Sequence, residues 1–441
     1  MISTPPRPIR PQRLGAVLLI AALPLASARA GDGFTSELVT GSLGLPIAMA
    51  WTSAGRVLIT DKVDFAGVGT CNIWEVVDGV LQTPAWATVS NCNQDGEQGL
   101  LGITLDPSYV EPGGRAGKLS TPAGVGNSFV YVYLNTATAH PTVPSALITR
   151  ILRFTDTGSS GTNPTTVIDN LPNSTAATNH DGGNIHFGPD GYFYLSLGDD
   201  GNNACNSQDL TTYNGKILRY DASTVPFSSI PSNPFFVDNM IDEPRDYFFS
   251  IGERNSFDFT FHPVSEILFA TENGPGTRDE INDIGSGDNL GWPKQYGGAN
   301  CTVACSSCCG DGVCNSCNGF SSAAPQHCYL TTIAPTGITT NQGLHYPGSY
   351  YRDLFWVDNN TGSVRHGELN SSFDTIVSVN ESFLTPGLGA LFDIESAPDG
   401  LLYFTGINGQ LRRIVYTDPL RRLISGSGPG GASRLRHFEN S

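Results

Sequence analysis

Beyond its first 30 residues the chain has no apolar run long enough to cross a bilayer, and no stretch keeps a helical period between caps. A membrane-spanning helix needs roughly 20 apolar residues, so these absences exclude membrane insertion by helices and a helical bundle alike. Positive charge is scarce too, with 24 Lys and Arg against 41 Asp and Glu and a formal net charge of −17. An acidic chain repels phosphate, which excludes nucleic acid and anionic membranes as partners. What is abundant is punctuation: 51 Gly and 29 Pro are spread along the whole length, as many short strands joined by turns require.

The N-terminus reads as an export signal. Residues 1–13 carry Arg7, Arg10 and Arg13 and no acid, Gly15 to Ala26 is apolar, and Ala28-Arg29-Ala30 supplies a small-x-small end. Residues 1–30 are therefore expected to be removed, giving a mature start at Gly31 and a periplasmic or extracellular protein. In an oxidising compartment the ten cysteines should form disulfides. Cys71 is expected to pair with Cys92. Cys301, Cys305, Cys308, Cys309, Cys314, Cys317 and Cys328 crowd one insert, which Cys205 would complete to an even number. Cys305-x-x-Cys308 and Cys314-x-x-Cys317 also have the spacing of zinc ligands, but the Gly- and Ser-rich spacers suit a stapled loop better.

A weak unit recurs: an apolar strand, a turn with Pro, Asp or Gly, a second strand, and a third ending near Arg. The six copies begin at IAMAWTSAGRVLITD (Ile47), GITLDP (Gly102), IHFGPDGYFYLSLGD (Ile185), FDFTFHPVSEILFATEN (Phe257), GITTNQG (within Thr336–Asp358) and FDIESAPDGLLYF (Phe392). The period, roughly 55 to 80 residues, fits four-stranded blades with insertions. A pair of β-sandwiches would not repeat a PDG turn at so long a period. The expected fold class is all-β: a six-bladed β-propeller over residues 31–418, with a cysteine-rich loop insertion at 301–328 and a C-terminal tail at 419–441.

Polar residues collect in the loops between strands. Asn179-His180-Asp181-Gly182-Gly183-Asn184 precedes the third unit's first strand and Gly198-Asp199-Asp200-Gly201 follows its second, so an antiparallel pair brings His180 and Asp199 to one end. A carboxylate beside an imidazole raises its basicity and fixes its orientation, as a general base requires. Gly252-Glu253-Arg254-Asn255 lies at the corresponding entry of the fourth unit, and Arg254 offers a planar fork for an anion or a polarised carbonyl. The turn from Glu272 through Asn273, Gly274 and Pro275 to Glu280 offers carbonyls, an amide and carboxylates to a hard cation such as calcium. Each feature has a structural alternative: a His in a polar loop, an inter-blade ion pair, an ordinary turn.

EQGLLGI from Glu97, the His180 loop with FGPDGYFYLSLGD, GKILRYD, GERN followed by FHP, TENGP with DEIN, and NLGWP from Asn289 occur in that order. Together they resemble the glucose/sorbosone dehydrogenase family, from about Leu45 to Ile414. The resemblance implies a six-bladed propeller that oxidises the anomeric carbon of an aldose to a lactone, with pyrroloquinoline quinone as acceptor and calcium polarising it. It makes His180 the general base, Asp199 its orienting acid, Arg254 and Asn255 contacts to the quinone, Glu97 a substrate contact, and Gly274 and Pro275, with Asn273, the calcium site. Three positions depart from the family pattern: Gly389–Asp393 has no cation where quinoproteins place arginines, Asn359–Gly362 has no lysine, and Asn184 stands where an Arg often follows the glycines. These departures keep two other readings open. One is a non-catalytic exported propeller that binds carbohydrate or protein, like the hedgehog-interacting relatives; the other is a calcium-dependent lactonase-type hydrolase with its metal acids at the propeller centre.

Overall fold

A computed structural model of the chain describes residues 33–112, 126–143, 145–174, 176–237, 243–293 and 322–418. The leader, the tail and most of the cysteine-rich insert anticipated from the sequence lie outside the described residues. Strands alone make up the sheets, and they divide into six four-stranded antiparallel blades. The innermost strands, in blade order, are Pro46–Trp51, Leu100–Leu105, Ile185–Phe187, Ser256–Phe261, Pro335–Thr340 and Leu391–Ser396. Each touches the next, and the last touches the first, so the ring is closed. Blades 1 and 2 are further joined by one outer pairing, Cys92 with Thr136.

Second strands explain why the sequence shows continuous apolar runs and not only alternation. Val57–Asp61, Phe193–Leu197, Leu268–Glu272, Leu354–Asp358 and Leu402–Gly406 are buried at every position, because neighbouring blades cover both of their faces. The repeated turn is held by its own aspartate. In blade 3 Asp190 accepts the Tyr194 hydroxyl at 2.8 Å, and in blade 6 Asp399 accepts the Tyr403 hydroxyl at the same distance. The following Gly191 and Gly400 both have φ +81°, a region costly for any residue with a Cβ.

Polar bonds close the ring from blade to blade. The Thr60 hydroxyl donates to Leu101 O, Gly102 N to Gly183 O at 2.8 Å, Gly182 N to Asn255 Oδ1 at 3.0 Å, and the Thr271 hydroxyl to Thr336 O at 2.7 Å. The Thr336 hydroxyl then donates to Leu391 O at 2.9 Å, and Met49 N to Asp393 Oδ2 at 2.7 Å. At the propeller centre Asp258 accepts Ile338 N at 2.8 Å, as well as Phe259 N and the Asn184 amide. The central acids are thus occupied as clamps between blades, and nothing in this arrangement favours the hydrolase reading. Phe34–Thr40 from the N-terminal side forms the outermost strand of blade 6, pairing with Gln410–Tyr416. The repeat pattern does not reveal that strand, since cross-strand contacts such as Arg412 to Ser36 span 376 residues and the strand carries no turn motif.

The disulfide expected between Cys71 and Cys92 is present and ties the third and fourth strands of blade 1. Cys205 and Cys328 are also in disulfides.

Candidate active site

The loops at the ends of the inner and second strands of blades 2, 3 and 4 converge on His180. This residue has φ +64°, a left-handed conformation that costs a non-glycine residue on the order of 1–3 kcal/mol and tends to be kept at functional positions. Glu97 from blade 2 fixes it by accepting the His180 backbone N–H at 2.7 Å. Gly198 is needed opposite, because a Cβ there would lie 2.1 Å from the His180 carbonyl oxygen.

His180 Nδ1 meets Asp199 Oδ1 at 2.6 Å, and the other carboxylate oxygen accepts the Trp292 indole N–H at 2.8 Å. Gly201 N adds a third bond at 2.8 Å, and the Asp199 side chain is 3% exposed. With Nδ1–H directed at the carboxylate, Nε2 carries the lone pair and bonds to none of the described residues, in a ring that remains 11% exposed. The dyad can therefore take a proton from a ligand hydroxyl.

Arg254 and Asn255 enter from blade 4. Their backbone N–H groups donate to Glu272 Oε1 at 2.7 and 2.8 Å. Burial pushes the Glu272 carboxyl up to about 7 against the pull of these donors. Arg254 lies over the Trp292 ring at 5.5 Å and donates to Asn273 O at 2.7 Å, while its buried Nε bonds to none of the described residues. Both ends of the Asn255 amide are engaged: Oδ1 receives Gly182 N, and Nδ2 donates to Glu97 Oε2 at 3.1 Å. It holds the His180 loop and Glu97 in place. Behind His180, burial and then the charges of Glu97 and Asp200 raise the Asp181 carboxyl well above its ordinary value. Burial likewise lowers Lys62, whose ammonium donates to Gly96 O, to about 8.

Among the residues read as a calcium turn, Asn273 directs its amide to Asn255 O and to Pro335 O at 3.0 Å. Gly274 O accepts Gly276 N at 2.9 Å, and the Pro275 carbonyl accepts from none of the described residues. Asp279 binds Gly274 N, Ile333 N and Ala334 N, as a staple between blades 4 and 5. No cluster of three metal-ligating His, Cys, Asp or Glu side chains occurs among the described residues.

These donors fit a quinone at its carbonyl edge: an orphaned buried guanidinium N–H stands beside the dyad, with a free carbonyl on the next turn. They supply little for carboxylates. Phe392 is 7% exposed and lines, with Ile47, Leu101, Gly182 and Gly183, a cavity of about 10 Å³ among the inner strands. The Asn184 amide is bound to Asp258. Arg365 is tied to Asp358 at 3.0 Å and Arg413 to Glu37 at 2.9 Å, so neither replaces a missing cation. Sequence reasoning missed Trp292, Glu272 and Asn255 as supports of this site: the roles of Trp292 and Asn255 depend on contacts between blades, and that of Glu272 on the register of the first two strands of blade 4, none of which spacing records.

Comparison with known proteins agrees with the fold and the motifs. The sequence pattern of the Glucose / Sorbosone dehydrogenase family matches residues 43–413. The chain is similar to quinoprotein glucose dehydrogenase B of Acinetobacter calcoaceticus, 25% identical over 60% of this chain and 54% of the relative, about half of that protein's length. Among solved structures, it resembles an oxidoreductase of glucose dehydrogenase type from Thermus thermophilus, with TM-score 0.65, 26% identity, 87% of this chain and 100% of the other covered. It also shares its fold with the PQQ-bound aldose sugar dehydrogenase of Streptomyces coelicolor, at TM-score 0.63 and 23% identity over 87% and 98% of the two chains.

Proposed function

The chain belongs to the glucose/sorbosone dehydrogenase family, and on that premise we propose that it is an exported enzyme oxidising an aldose at its anomeric carbon to the lactone. The observation that carries the proposal is the His180–Asp199 contact of 2.6 Å, with Nε2 left unbonded. His180 Nε2 takes the proton of the anomeric hydroxyl as the anomeric hydrogen departs with its electron pair. Asp199 keeps the ring in the productive tautomer and stabilises the imidazolium that results. Pyrroloquinoline quinone, when bound, supplies the two-electron acceptor, and a calcium ion supplies Lewis-acid polarisation. Arg254 would hold the quinone through its unpartnered Nε, and the carbonyls of Gly274 and Pro275 would hold calcium. Glu97 has one carboxylate oxygen bound to His180 N and Asn255 Nδ2, which leaves the other to accept a sugar hydroxyl. The Cys71–Cys92 disulfide supports export, since such bonds persist in oxidising compartments.

A single titration tests the reading. Purified protein is mixed with calcium and the quinone, quinone absorbance is followed, and sugar-dependent dye reduction is then measured. Turnover that disappears in His180→Ala is expected. Absence of dye reduction with every aldose at saturating quinone would overturn it in favour of a non-catalytic propeller, a reading that the apolar Phe392 position favours.

A further inference from the structure

A cavity of about 1030 Å³ lies between blades 2 and 3, outside the His180 site. Its blade 2 wall is the outermost strand, Gly161–Ser174, and its blade 3 wall begins with the loop from Asp200 to Asn206. That loop also walls the dyad, since Asn206 Nδ2 donates to Asp199 O at 3.0 Å and Asp200 N to His180 O at 3.3 Å. The groove therefore starts one residue from the orienting carboxylate.

Its lining has a definite chemistry. Tyr213 and Tyr247 present half-buried rings with centroids 6.2 Å apart, and Tyr247 is backed by the buried Tyr220 at 4.5 Å. Asn170 on one wall and Asn202 on the other are exposed, and their side-chain amides bond to none of the described residues. Among the described residues no Lys or Arg lines the cavity; its titratable groups are His140, Asp200 and Asp169, the last paired with Arg150 at 2.7 Å. That combination offers a phosphate or carboxylate no Lys or Arg to pair with. It suits a neutral ligand with apolar ring faces to lie on aromatics and hydroxyls to bond amides and carboxylates. Ligand pockets run from about 300 to 1,000 Å³, and this one is at the top of that range, with room for more than one sugar ring.

We propose that the groove is a saccharide subsite that holds the distal units of a neutral oligosaccharide whose reducing end is presented to His180. The inference rests on the reading of the His180 site as aldose-oxidising, and its test separates the two.

Calorimetric titration without quinone uses linear α-1,4- and β-1,4-linked glucose oligomers of one to six units. Affinity should rise at least ten-fold with length in one series. Asn202→Trp, a rim substitution that fills the groove, and Tyr247→Ala, which removes the platform, should bring the longest oligomer down to monosaccharide affinity. Oxidation of the monosaccharide itself should stay unchanged in Asn202→Trp. Equal affinity at every length in both series, or length dependence that survives Asn202→Trp, would overturn the proposal. Length-dependent binding without oxidation would remove the dehydrogenase reading and leave the groove standing, whereas oxidation without length dependence would do the reverse.

Discussion

The indole Nε1 of Trp292 donates to Asp199 Oδ2 at 2.8 Å. The other oxygen of that carboxylate orients His180, and the face of the same indole carries Arg254. One side chain thus joins the base's partner to the cation of the site. In Trp292→Phe the ring is kept and the bond to a charged acceptor is lost, an interaction contributing about 1.5–3 kcal/mol. The expected result is a roughly 10- to 100-fold fall in kcat. An unchanged kcat in the folded variant would show that Trp292 only fills space.

How much of this could be read beforehand depended on the range of the contacts. The PDG turns, the buried second strands and the pairing of the His180 and Asp199 loops are local or repeat-encoded, and the sequence displays them directly. The closing strand Phe34–Thr40 and the support of Asp199 by Trp292 join residues far apart in the chain, and alternation of apolar residues carries no trace of them. Asn255 illustrates the remaining difficulty. Its motif marks a site, but whether its amide faces a ligand or a neighbouring blade is decided by Gly182 and Glu97, which other blades supply.

Base and cation should separate in kinetics. His180→Ala is expected to lower turnover by about 10²–10⁴-fold while quinone affinity, read by absorbance titration without sugar, stays within a factor of two or so. Arg254→Ala removes the unpartnered Nε donor and should weaken quinone binding and turnover together. If His180→Ala loses the quinone as well, the residue holds the cofactor and is not simply the base.

Phe392 offers a gain-of-affinity experiment. It lines a small cavity with Gly182 and Gly183 of the His180 loop, and no Lys or Arg is among the described residues of that lining. In Phe392→Arg a guanidinium replaces apolar surface where, on the proposed function, the carboxylates of the quinone would lie, and a charge-assisted bond of about 1.5–3 kcal/mol corresponds to at least a ten-fold gain in quinone affinity. The cost is lost packing against Ile47 and Leu101, which should lower the thermal midpoint. Titration of both proteins with quinone, sugar absent, checks the sign. No rise in affinity in a folded variant would mean that the carboxylates lie elsewhere.

Glu253 gives a prediction on stability alone. It is fully buried, Ser250 donates to one of its oxygens, the other has no partner, and burial pushes the carboxyl up to about 8. In the unfolded chain the same group titrates near 4.5. Between those values the native state binds a proton that the unfolded state has released, so stability is full below about pH 4.5 and falls as pH rises toward 8. Lys216 acts with the opposite slope in a higher window: burial lowers it to about 7 from 10.5, so its neutral native form favours folding as pH rises through that range. The difference between wild type and Glu253→Gln removes the carboxyl together with the upward pull that its charge exerts on Lys216. Denaturant unfolding at pH 5, 6, 7 and 8 should show wild type losing stability relative to Glu253→Gln at each step. A constant difference across the series would mean that Glu253 is ionised in the folded protein throughout, with Lys216 as its counter-charge.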